Sequence, residues 1–322
     1  MSIFYNCFII VKLGINNSGE KYLEPEKIIE AHENHVMELG FTKDSRILIS
    51  TGMDNKIKFW DVPSWELMGT LSGHENSVNS FALDNSEEVL ISGSSDKTVK
   101  IWELLEGKEI ISFEKHTKPV SIVRFSPENI FIASGSYDGT VQLWNYEEME
   151  HYSSLKGHES HISNLCFSPD CSNIITSAID NQLIVWKLPS VEIIKKFKPH
   201  ENGLSSINFI ANGKKIITSG DDRKIKIWKT KNWELEKTID SDIEIPHRLT
   251  ISSDEKYFVI TFDNTIQLWS LKTGEKINEI KLKTKGIYFA AFSPNKEWLA
   301  VGSADKKIRI WKMKELLKEN HL

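Results

Sequence analysis

A chain of 322 residues with 40% hydrophobic residues can bury a sizeable core. A net charge of −5 gives no global basic field, so nucleic acid is not an expected partner. Three cysteines, Cys7, Cys166 and Cys171, are an odd number without metal-ligand spacing, which argues against a disulfide framework and for a reducing, intracellular (cytoplasmic) setting.

In chain order, the first fifteen residues, MSIFYNCFIIVKLGI, are apolar. Lys12 follows the apolar stretch instead of preceding it, Asn6 interrupts it, and no small-residue cleavage site appears. A secretory leader and a membrane span are therefore not expected. The reading is an extra strand or cap laid against the main body, with a loop from Asn16 to Glu20, so that residues 1–24 form an extension. Pro25–Glu30 reads as a strand. From His32 onward, short bursts rich in Ile, Val, Phe and Trp alternate with polar residues and are broken by Gly, Ser, Asp, Asn and Pro. That is a pattern of strands and tight turns. One stretch runs from His116 through an apolar segment ending Phe125-Ser126-Pro127, then Ile130 to Ser136, Asp138 and Val141 to Trp144. After Trp311 the chain closes with KMKELLKENHL, which reads as a polar, helix-like tail over 314–322.

The stretch repeats. Trp60, Trp102, Trp144, Trp186, Trp228, Trp269 and Trp311 are spaced by 42, 42, 42, 42, 41 and 42 residues. A fixed period of this length marks one supersecondary unit built many times. In five units a His stands 22 residues before an Asp and 28 before the Trp, with Ser or Thr four before the Asp. The sets are His32, Ser50, Asp54, Trp60; His74, Ser92, Asp96, Trp102; His116, Ser134, Asp138, Trp144; His158, Thr176, Asp180, Trp186; and His200, Thr218, Asp222, Trp228.

With Gly73-His74, Gly157-His158 and Trp60-Asp61 at matching places, residues 25–313 resemble the WD-repeat family. The resemblance implies an all-β, seven-bladed β-propeller of four-stranded antiparallel blades. It also implies a buried chain in each complete set, in which Asp accepts from the His N–H, His from the hydroxyl and the hydroxyl from the indole N–H. Units six and seven depart: Asp242 and Lys283 stand where His is expected, Val301 replaces a hydroxyl, and a one-residue deletion precedes Asp263. Those two blades are expected to be the least rigid. Too few residues follow Trp311 for another strand, so the N-terminal strand Pro25–Glu30 is expected to complete the last blade as its outer strand. Closure of that kind removes open sheet edges.

Five equivalent Ser/Thr-His-Asp sets, each tied to a Trp, suit a structural role better than a catalytic triad, which needs one focus and an exposed nucleophile. The pairs His32/His35 and His158/His161 have H-E-x-H spacing in a turn, not the helical H-E-x-x-H of zinc sites. No metal, cofactor or enzyme activity is expected. Lys187, Lys195, Lys196, Lys198, Lys214, Lys215, Lys224, Lys226 and Lys229 cluster on units four and five. In the resembled family, partners sit around the narrow mouth of the central channel, on the residue before each turn Asp and those three and five after each His. Here this implies a rim of His35, Met37, Met53, Tyr137, His161, Ile179, Asp221, His247, Phe262 and Tyr288. Large apolar residues at exposed turns mark interaction surfaces. The histidines would make binding pH-sensitive. The sequence thus points to a monomeric, non-catalytic scaffold for a protein or peptide on the rim. A structural subunit binding through blade edges and the lysine patch is the alternative, and an enzyme using the channel ranks behind both.

Overall fold

The computed structural model describes residues 13–15, 21–242, 245–284 and 286–318. Among them stand seven four-stranded antiparallel sheets and one two-stranded ribbon, Leu13–Ile15 against Lys21–Leu23. Blades one to six each take four consecutive strands. Blade two, for example, is Val78–Leu83, Val89–Ser94, Val99–Glu103 and Lys108–Phe113. Blade seven takes Ile287–Phe292, Trp298–Ser303 and Lys307–Lys312, and its fourth place is filled by Lys27–Glu30. The strand expected over the N-terminal apolar residues and the loop over 16–20 fall largely outside the described residues.

Burial follows position in the blade. The second strands are buried along nearly their whole length, and Phe131–Ser136 entirely so, because a neighbouring blade covers each face. Outer strands bury little, as in Glu192–Phe197. Each pair of neighbouring blades shares one apolar cluster; that between blades seven and one joins Ile308, Ile310 and Ala300 to Leu39, Leu48 and Trp60. All seven periodic tryptophans are buried in these clusters.

Two sets of bulges recur. In blades one to six the register slips at the periodic Trp, where the third strand meets the outer one, for example between Ile101 and Trp102. A bulge sharpens local twist. The second set lies near the start of the inner strands, where Met37, Asn79, Ser121, Ser163, Ser205 and Tyr288 are extra residues without a partner across the ladder. A bulge re-aims the side chain it carries. Blade six has no inner bulge, and its inner strand is only Arg248–Ile251.

The tail differs from its polar reading. Met313–Leu316 is a single helical turn whose Met313 and Leu316 are buried beside Leu23 and Ile280, between blades six and seven. Asn278 Nδ2 donates to the Leu316 carbonyl at 2.9 Å. Met313, Leu316 and Leu317 share one face of the turn, so the apolar side docks and Lys314 stays in water.

Candidate interaction site

The five repeated sets come together as the resemblance implies, with one exception. In blade two, Trp102 Nε1 donates to Ser92 Oγ at 2.8 Å, Ser92 bonds His74 Nε2 at 2.7 Å, and His74 Nδ1 bonds Asp96 at 2.7 Å. Blades one, four and five repeat this through Trp60–Ser50–His32–Asp54, Trp186–Thr176–His158–Asp180 and Trp228–Thr218–His200–Asp222. In blade three, Ser134, His116 and Asp138 are linked, but among the described residues Trp144 makes no hydrogen bond to Ser134. Its ring instead stacks on Phe113 at 4.9 Å. Burial alone would raise the Asp54 carboxyl, but bonds from His32 and the Glu33 amide outweigh it and hold it at about 2. Asp96, Asp138, Asp180 and Asp222 are held down in the same way against the same burial. Burial pushes the His158 and His200 imidazoles down despite their carboxylate partners. These serines and threonines are fully buried, which is unsuited to a nucleophile.

The chains also fix the rim. Gly52 lies under His32, where an added Cβ would fall 2.4 Å from Nδ1, so the turn can approach the ring only because it carries glycine. The next residue in each turn then bonds back to the start of the inner strand. Met53 N donates to His35 O, Tyr137 N to Pro119 O and Ile179 N to His161 O, at 2.9, 2.9 and 3.0 Å. Neighbouring inner strands are tied sideways by the bulge residues: Asn79 Nδ2 donates to Val120 O at 2.7 Å and Ser121 Oγ to Ile162 O at 2.6 Å. His247 Nδ1 donates to Ile287 O at 2.9 Å.

Six of the ten rim residues, Met37, Tyr137, His161, Ile179, His247 and Tyr288, line one cavity of about 600 Å³. Asn79, Ser80, Ser121 and Ser163 supply polar wall, and Glu38, Arg248 and Phe289 lie among its lining. Two aromatic groups flank it. Tyr137 and His161 stack in parallel at 4.5 Å, and Tyr288 lies between His247 at 5.9 Å and His35 at 5.7 Å. Tyr137 and Ile179 are exposed.

His35, Met53, Asp221 and Phe262 do not line this cavity, although His35 packs beside Tyr288. Phe262 pairs with Thr265 in a hairpin one residue shorter than the others, so it is a strand residue packed on the blade five–six cluster. Asp221 folds over Gly203, where a Cβ would fall 2.1 Å from its Oδ2, and accepts from Ser205 Oγ at 3.3 Å. Sequence reasoning missed Glu38 and Arg248. Both stand six residues after a His position, one beyond those scanned, and both are ionisable residues inside apolar inner strands.

The lysine cluster is partly neutralised. Lys196 Nζ donates to Gly157 O, Lys215 pairs with Glu236 at 2.8 Å, and Lys226 lies 3.4 Å from Asp222. Among the described residues there is no group of three or more His, Cys, Asp or Glu placed to hold a metal ion, and no helix long and apolar enough to cross a membrane.

The family model of the WD domain, G-beta repeat, matches residues 23–61, 65–103, 107–145, 149–187, 191–229 and 274–312. The chain is a member of the WD-repeat family. The six matched stretches leave out residues 230–273, which hold the first three strands of blade six, the unit with the deletion and without its His. A comparison with curated proteins finds no match. WD-repeat propellers generally mediate protein interaction or scaffolding and are typically non-catalytic.

Proposed function

We infer that this WD-repeat propeller is a non-catalytic scaffold that binds a peptide or protein partner at the mouth of its central channel. One observation carries the reading: rim residues from blades one, three, four, six and seven line a single cavity whose walls mix exposed apolar groups, stacked aromatics and hydroxyls. Sites of that composition on a rigid scaffold suit peptide recognition. The free thiols of Cys166 and Cys171 support a reducing, cytoplasmic setting, and we read the propeller as a monomer.

The alternative, a structural subunit binding through blade edges, has one observation in its favour: the outer strand of blade four exposes Ile193 and Ile194 beside Lys195 and Lys196. Affinity capture from native lysate separates the two. A Tyr137→Ala/Ile179→Ala variant should lose the partner held by the wild type, while Lys195→Glu/Lys196→Glu should keep it. The reverse pattern would move recognition to the blade edge and overturn the channel-mouth reading.

A further inference from the structure

The wall of the mouth holds an unbalanced charge. Glu38 is buried and its carboxylate is already satisfied: Oε1 accepts from Arg124 at 3.0 Å and Oε2 from the Phe81 amide at 2.9 Å. Arg124 spends its other donors on Ser80 Oγ and the Val123 carbonyl, at 3.1 and 2.7 Å. Arg248 is different. Its side chain is only 19% exposed, it stands 3.9 Å from Glu38 Oε1, and it packs over the Phe289 ring at 5.0 Å. Among the described residues its guanidinium makes no hydrogen bond. Burial and the neighbouring Arg124 together push Arg248 down to about 10, so the cation pays for its place with little return. Two guanidinium groups against one carboxylate leave one positive charge over. Buried charges are ordinarily paired and hydrogen-bonded, and a guanidinium offers a planar fork matched to a carboxylate.

We propose that Arg248 receives the side-chain carboxylate of a Glu or Asp from the partner peptide, inserted through the channel mouth between the Tyr137–His161 and His247–Tyr288 pairs. This deepens the reading above and rests on it. A carboxylate fits better than a phosphate, because the site has one charge to neutralise and a phosphoryl group brings about −1.5 to −2 next to Glu38. The aromatic pairs would hold the flanking apolar part of the peptide, and the hydroxyls of Ser121 and Ser163 sit beside the path.

The test uses the full chain, immobilised, and bead-released libraries of nine-residue peptides that are random except for a central Glu, Gln or phosphoserine. The wild type should retain the Glu library about 10-fold or more above the Gln library, as expected for a charge-assisted bond in a partly dry site. Arg248→Gln should abolish that preference, whereas Tyr137→Ala should weaken Glu and Gln libraries alike. If Arg248→Gln melts early, Arg248→Lys replaces it. Lysine keeps the charge but not the fork, and the preference should fall at least about threefold. Equal retention of Glu and Gln, an unchanged preference in the Arg248 variants, or stronger retention of phosphoserine would each overturn the proposal. In the first of these outcomes, if Tyr137→Ala still weakens retention, the peptide-binding reading stands alone. If no library is retained, or Tyr137→Ala changes nothing, both readings fall.

Discussion

Gln267 shows how a blade can lose its histidine and still satisfy its tryptophan. Trp269 Nε1 donates to Gln267 Oε1 at 3.2 Å, and Gln267 Nε2 donates to Asp242 at 2.8 Å and to Glu279 at 2.7 Å. Lys276 closes the group with bonds to both carboxylates. Blade seven solves the same problem differently: Trp311 Nε1 donates to the Leu23 carbonyl at 3.1 Å, while Arg309 bonds Ser303 Oγ at 3.0 Å and Asp305. Gln267 and Arg309 both stand two residues before the periodic Trp. Gln267→Ala should therefore lower stability by about 1–3 kcal/mol, since it strands the buried Trp269 indole N–H, while Lys276 still holds both carboxylates. Denaturant unfolding measures it, and a loss under about 0.5 kcal/mol would mean that the network is ornamental. Gln267 was not legible as the replacement, because its partners Asp242 and Glu279 meet it only once strands from across the blade are paired.

At the scale of the blade, the His–Asp links of blades four and five give stability a pH dependence near neutrality. His158 and His200 are held below the usual imidazole range, so between their folded values and about pH 6.5 the unfolded chain binds more protons, and stability falls as pH drops through that window. The depressed carboxyls act lower. Their contribution is present above about pH 3.9 and, for Asp54, is lost as pH falls toward about 2. Hydrogen exchange at pH 7 and pH 5.5, corrected for intrinsic rates, should show protection lost in blades four and five before blades six and seven. Uniform loss in all blades would refute the assignment. The blades themselves were legible from the Trp period, because one strongly patterned unit was written out many times. Of the rim positions, those of Met37, Tyr137, His161, Ile179, His247 and Tyr288 meet at one cavity, whereas Met53 and Asp221 do not although their hairpins keep the common length. Phe262 was not legible, because a single deletion converts a turn residue into a paired one. Arg248 was not, because its role depends on Glu38 and Arg124, which come from blades one and three and meet it only across the channel.

At the scale of the molecule, the ring is held shut by one short strand. Lys27–Glu30 pairs with Lys307–Ile310, Ala31 N donates to Lys306 O at 3.0 Å, and Lys312 and Lys307 bond Glu26 and Glu30 at 2.8 and 2.6 Å. Ile29 is buried in the cluster shared by blades seven and one. A chain beginning at His32 keeps every residue of blades one to six, yet leaves Lys307–Lys312 as an open edge beside a gap. It should lose the single cooperative thermal transition, and an unchanged midpoint and slope would mean that closure contributes little. The same strand sets an order on biosynthesis. Glu30 leaves the ribosome 277 residues ahead of its partner Lys307. At about 5–20 residues per second, the segment waits on the order of 15–60 s for that partner. Throughout translation this strand is therefore free, and the edge it matches appears only when blade seven is made. A trailing chain on the same messenger offers the same free strand to that edge, so polysomes are a setting in which two copies can exchange this segment.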